Sequence, residues 1–114
     1  MDLIVDPLEC TSNFAKGLPD SMTVILAAER GSVIHVPGTY MEQILIPLQA
    51  DPGPGIFEME RKDVLKQVSD ALDVPVKDLT VIVQNRPRHE NLIEDIRSAG
   101  ASVALIESRS ISAA

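Results

Sequence analysis

Apolar residues run along this chain in two different patterns, and the change from one to the other comes near its middle. The first half carries short continuous runs. "DLIVD" (residues 2–6) and "MTVILAA" (22–28) each read as a strand, and their unbroken apolar character predicts strands buried on both faces. "SVIHVP" (32–37) reads as a third. It follows the second across the turn signal "ERGS", so these two are expected to form an antiparallel hairpin.

In the second half the period lengthens. "MERKDVLKQVSDALD" (59–73) puts Val64, Leu65, Val68, Ala71 and Leu72 on one helical face opposite a charged one. "DLTVIVQ" (78–84) is a β-branched strand. "RHENLIEDIRSAG" (88–100) returns to the helical period through Leu92, Ile93, Ile96 and Ala99, with Gly100 as its stop, and "SVALIE" (102–107) is a final strand. Strand, helix and strand in that order predict a right-handed crossover between parallel strands. Between the halves lies "PLQADPGPGIF" (47–57), with three prolines and two glycines, through which no helix can pass. The expected organisation is an N-terminal β part at 1–46, a linker at 47–57 and an α/β part at 58–114. The expected fold class is α/β.

Composition narrows the options. The chain has 114 residues, enough for one modest core, and with only 3% aromatic residues that core must come from aliphatic side chains. Seventeen acidic residues against ten basic ones give a net charge of -7, which argues against binding nucleic acid or an anionic membrane. A local basic site for a small phosphate ester is compatible with that balance. A single cysteine allows no internal disulfide, and "MDLIVDPLE" lacks the basic start and apolar run of a signal peptide. No stretch approaches the ~18–20 apolar residues of a membrane span. The expected setting is the cytoplasm.

Two places carry candidate chemistry. Asp6 and Glu9 flank a Pro-Leu turn at a strand end. With a backbone carbonyl between them they offer hard oxygen ligands of the kind Mg²⁺ takes, and Thr11 follows with a hydroxyl and an N–H for a phosphate. The same residues also read as an ordinary acidic strand-end turn. "NRPRHE" (85–90) sits where a strand hands over to a helix, whose first N–H groups and dipole favour an anion. Two arginines there oppose the dipole, which an anion recruiting both would explain; two solvated surface arginines are the other reading. Tyr40 can hydrogen-bond a ligand oxygen or pack at a strand end. His35, inside an apolar run, reads as structural; His89 is a candidate base. Nothing places a base beside Cys10, so a nucleophilic role for it has little support.

Together these pieces resemble the class II fructose-1,6-bisphosphatases of bacteria, some of which also hydrolyse sedoheptulose-1,7-bisphosphate. "VDPLECT" looks like the family's VDP-[IL]-EGT element, shared with the wider inositol monophosphatase-like group. "PGTYMEQ" resembles its P-D-x-YM-[EK]-K segment, and "LTVIVQNRPRHENLIEDIRSAGASVALI" its strand, (R/K)PRH turn, helix and next strand. The resemblance implies part of a layered α/β sandwich and hydrolysis of a sugar bisphosphate assisted by Mg²⁺ or Mn²⁺. It implies that Asp6, Glu9 and the Leu8 carbonyl are metal ligands. Glu9, Cys10 and Thr11 would lie at the scissile phosphate, and Tyr40, Arg86, Pro87 and Arg88 would contact the sugar phosphate.

Departures from the family pattern shape the remaining expectations. Cys10 stands where the family has glycine, and Ser108, Arg109 and Ser110 stand where it has an Asp-Gly-Asp sugar-binding turn. The resemblance covers the middle third of the family's chain and omits carboxylates upstream and downstream. It therefore implies a fragment or truncated relative, inactive or nearly so by itself and weak in Mg²⁺ or Mn²⁺ binding. The alternative is a noncatalytic sugar-phosphate-binding or assembly module. Buried-type strands without their covering elements lead us to expect a homo-oligomer, most simply a two-fold dimer.

Overall fold

A computed structural model of the chain describes residues 1–37 and 41–107. The fold is mixed α/β and divides into two compact units, Met1–Ile44 and Leu45–Glu107.

In the first unit, β1 (Asp2–Glu9) pairs antiparallel with β2 (Met22–Ala28), Asp2 opposite Ala28 and Asp6 opposite Val24. Between them lies a five-residue helix, α1 (Thr11–Ala15), which the sequence reading missed. It is too short to show an apolar period, and its local mark is Gly17, whose φ of 65° turns the chain out of it. The partner of β2 is thus β1 and not residues 32–37. Those residues form no strand, correcting the expected hairpin. The "ERGS" turn is there, with the Ser32 N–H and hydroxyl both donating to the Glu29 carbonyl. Its Gly31 N–H is bound by the Asp2 carboxylate at 2.7 Å, so the turn closes back on the start of β1. His35 is exposed, which corrects its reading as a structural histidine within a strand.

A second correction concerns burial. β1 and β2 are not covered on both faces: Leu3 is 57% exposed, Val5 52%, Ile25 66% and Leu26 53%. Two strands form one ladder, and side chains alternate between its faces. Leu3, Val5, Ile25 and Ala27 therefore share one face, while Ile4 and Leu26 share the other with Asp2 and Asp6.

The second unit has a core of its own. α2 (Arg61–Leu72) and α3 (Glu90–Ser98) pack with β3 (Thr80–Gln84) and β4 (Ser102–Ile106), which run parallel with Thr80 opposite Ser102 and Gln84 opposite Ile106. Leu65, Val83, Ile93, Ile96 and Ala101 are the buried cluster, with Val76, Leu79, Val81, Leu92, Ala99 and Val103 packed around it. The helical periods read from sequence place Leu65, Ile93 and Ile96 correctly; Ala71 is exposed, one position too far round α2 to reach the cluster. An Arg61–Asp95 ion pair joins α2 to α3 on the surface. Residues 47–57 contain no α-helix. They make two 3₁₀ turns, Leu48–Ala50 and Pro54–Glu58, that bury Ala50 and Ile56, and Gln67 of α2 donates to the Ala50 carbonyl at 2.7 Å.

Candidate functional site

Proline has no N–H to give to a ladder, and the β1–β2 register accordingly breaks between Asp6 and Glu9. Pro7 and Leu8 have no partner in the register, and the peptide joining them is held by side chains. The Leu8 N–H donates to Asp6 Oδ1 at 3.1 Å, and the Thr23 hydroxyl donates to the Pro7 carbonyl at 2.9 Å. Asp6, Leu8 and Glu9 are half-buried, and the Cys10 thiol lies 3.9 Å from Glu9 Oε1. The Cys10 carbonyl starts α1 by accepting from the N–H groups of Asn13 and Phe14, and it also accepts the Ser21 hydroxyl at 3.3 Å. Thr11 is exposed at the first position of that helix.

Ser21 and Thr23 were not singled out from the sequence, because a hydroxyl at the start of an apolar strand is common and carries no periodic signal. Asn13 was also missed. It is 2% exposed, donates to the Pro19 carbonyl at 3.1 Å, and its Oδ1 has no hydrogen-bond partner among the described residues.

Cys10 sits in the left-handed region, φ 66° and ψ 46°. A Cβ there costs roughly 1–2 kcal/mol. The family's glycine at this position removes that cost, whereas alanine keeps it. We expect Cys10→Gly to be more stable than Cys10→Ala by about 1 kcal/mol in urea unfolding. Equal midpoints for the two variants would show that the backbone at residue 10 is not strained.

Carboxylate and carbonyl oxygens are the donor set that Mg²⁺ and Mn²⁺ prefer, and Mg²⁺ commonly binds through one or two carboxylates while keeping several waters. Asp6, Glu9 and the Leu8 carbonyl fit that chemistry in kind. Among the described residues no group of three or more His, Cys, Asp or Glu side chains is gathered, so these three donors would make up only part of a shell. When bound at such a site, a divalent ion neutralises phosphate charge and makes a bound water more acidic.

The second unit presents the arginine turn. β3 ends at Gln84, and Asn85 is anchored by its N–H to the Ile106 carbonyl at 2.8 Å and by its side chain to Glu107 at 3.3 Å. Arg86 is extended, Pro87–His89 make a 3₁₀ turn, and α3 begins at Glu90. Proline at the first position suits this start, since its missing N–H would have had no partner. His89 Nδ1 lies 2.8 Å from the Gln84 carbonyl. A carbonyl can only accept, so Nδ1 carries the proton and the ring is fixed across the turn. Arg86 is half-buried, with Nη1 3.4 Å from the Asn85 carbonyl, and Arg88 is exposed. Arg86 and Arg88 thus stand in the residues that lead into α3, and guanidinium groups and helix-start N–H groups are both of the kind that bind a phosphate.

Asp6, Leu8, Glu9, Cys10 and Thr11 are therefore brought together in the first unit, and Arg86, Pro87 and Arg88 in the second. Tyr40, Ser108, Arg109 and Ser110 lie outside the described residues.

Comparison with known proteins agrees with the motifs. The bacterial fructose-1,6-bisphosphatase family, glpX-encoded, matches residues 1–114. A protein of Synechococcus sp. (strain JA-2-3B'a(2-13)) named D-fructose 1,6-bisphosphatase class 2/sedoheptulose 1,7-bisphosphatase is 43% identical over 114 residues, all of this chain and 33% of its own length. Proteins of the same name from Gloeobacter violaceus and from Synechocystis sp. (strain ATCC 27184 / PCC 6803 / Kazusa) are 40% and 39% identical over the same share. The chain spans about a third of the length of these curated relatives. With a match along all of its residues, the chain belongs to the glpX-encoded bacterial fructose-1,6-bisphosphatase family.

Proposed function

We propose that these 114 residues supply part of the divalent-metal and phosphate site of a fructose-1,6-bisphosphatase, and that by themselves they turn the substrate over slowly or not at all. The observation that carries this reading is the Asp6–Glu9 bulge, where a chain of this family sets two carboxylates and a peptide with no partner in the register at one strand end. Mg²⁺ or Mn²⁺ is the ion such oxygen donors suit. The reading of low activity is supported by coverage, since two thirds of the relatives' length has no counterpart in these residues. The site acts on a small soluble anion, in keeping with a cytoplasmic setting. Among the described residues no helix is long and apolar enough to cross a membrane.

Phosphate release from fructose-1,6-bisphosphate with Mg²⁺ or Mn²⁺ is the direct assay. We expect turnover at least ~1,000-fold below the ~10 s⁻¹ median of enzymes. Turnover near that median, abolished in Asp6→Ala, would show that the 114 residues complete a site on their own.

A second reading, a noncatalytic sugar-phosphate-binding or assembly module, is favoured by the arginine turn. Arg86 and Arg88 sit at the start of a helix anchored in the buried cluster of its own unit. In this reading the chain binds the sugar phosphate without hydrolysing it and associates with a second copy through the open β1–β2 hairpin.

A further inference from the structure

The Pro7–Leu8 peptide plane is gripped from both sides. Its carbonyl accepts the Thr23 hydroxyl from β2 at 2.9 Å, and its N–H donates to Asp6 Oδ1 at 3.1 Å. These two bonds polarise the same amide in the same sense, so each strengthens the other. Both act where the ladder is broken, because the register shifts between Asp6 and Glu9. The register gives Pro7 and Leu8 no partner across the hairpin, so these two bonds tie the peptide to β2 and to the Asp6 carboxylate. Asp6 Oδ1 accepts the Leu8 N–H, which leaves Oδ2 and the second lone pair of Oδ1 for a cation.

We propose that Thr23 is a positioning residue for the metal half-site. Through the Pro7–Leu8 peptide it fixes the orientation of the Asp6 carboxylate, and of the Leu8 segment behind it, toward a divalent cation. Thr23 itself touches neither cation nor substrate. The inference rests on Asp6 being a metal ligand. Its chemistry is specific to a hydroxyl at this place: an aliphatic residue of the same shape keeps the strand but cannot hold the Pro7 carbonyl. Thr23→Val is therefore the informative change, since valine is β-branched and favours strands.

The test uses the whole chain with two readouts, exchange of the Leu8 amide hydrogen without metal and Mn²⁺-induced broadening of the Asp6 to Glu9 amide resonances. A hydrogen bond of ordinary net strength implies roughly a 3- to 10-fold effect. We expect Thr23→Val to speed Leu8 exchange and to weaken Mn²⁺ binding by that factor. Thr23→Ser should restore both, which a merely structural role for the methyl group would not. Asp6→Ala should abolish the broadening. If Asp6→Ala abolishes it while Thr23→Val leaves it at the wild-type level, the positioning role is wrong and the metal reading stands. If Asp6→Ala leaves it unchanged, Asp6 is not a ligand, and the positioning role falls with the metal reading.

Discussion

Replacing Ile96 by alanine should cost the chain roughly 2–5 kcal/mol, a large share of the 5–15 kcal/mol that holds a domain of this kind together. Ile96 is 3% exposed and is the most buried member of the cluster formed with Leu65, Val83, Ile93 and Ala101. That cluster is small and wholly aliphatic, with no aromatic side chain to take up the lost volume. Leu65, Val83 and Ile93 are fixed in two helices and a strand, so the cavity can close only in part. α3 also carries the arginine turn at its first end, and loosening the helix should loosen Arg86 and Arg88 with it. Urea unfolding followed by circular dichroism gives the measurement. A loss below about 0.5 kcal/mol would mean that the cluster repacks around the deletion.

The second large effect concerns the β1–β2 hairpin. A lone two-stranded hairpin is marginal in water, and this one leaves apolar side chains uncovered on both faces. The faces differ in charge. Ile4 and Leu26 share theirs with Asp2 and Asp6, so a copy docked there by two-fold symmetry would bring carboxylates against carboxylates. Leu3, Val5, Ile25 and Ala27 form a face with no ionisable group. In a chain of net charge -7, that is the face on which self-association meets least repulsion. We expect a dimer at micromolar concentration that buries it. Ile25→Lys should weaken the dimer on the order of 100-fold or more, because it leaves an unpaired charge in the contact. Sedimentation at several loadings decides: a wild-type monomer whose melting temperature is independent of concentration would sink the dimer.

Where the sequence could be read, and where not, follows from the range of the forces involved. α2, α3, β3 and β4 form a local α-β-α-β succession whose apolar period is long enough to identify each element, and Gly100 ends α3 where a glycine should. The two arginines were legible because they interrupt that period at a helix start. The first half was harder. Continuous apolar runs say that a strand wants cover on both sides, but not whether these residues provide it, and β1 and β2 remain open. The run at 32–37 has a good strand composition and forms no strand; β2 pairs instead with β1, which begins twenty residues before it. Ser21, Thr23 and Asn13 take their importance from contacts across the hairpin and its connecting helix, which no local pattern announces.

The reading that these residues carry part of a sugar-bisphosphate site is tested most directly by titrating the whole chain with fructose-1,6-bisphosphate in a calorimeter. Arg86 and Arg88 flank Pro87 in the residues that lead into α3, and charge-assisted bonds from a guanidinium to phosphate are each worth about 1.5–3 kcal/mol. We expect saturable heat with an affinity of about 0.1–1 mM, that is, about 4–5.5 kcal/mol of binding free energy. Arg88→Ala should lower that affinity about tenfold or more, as the loss of one such bond implies. No heat up to millimolar ligand, or binding indifferent to Arg88→Ala, would contradict it.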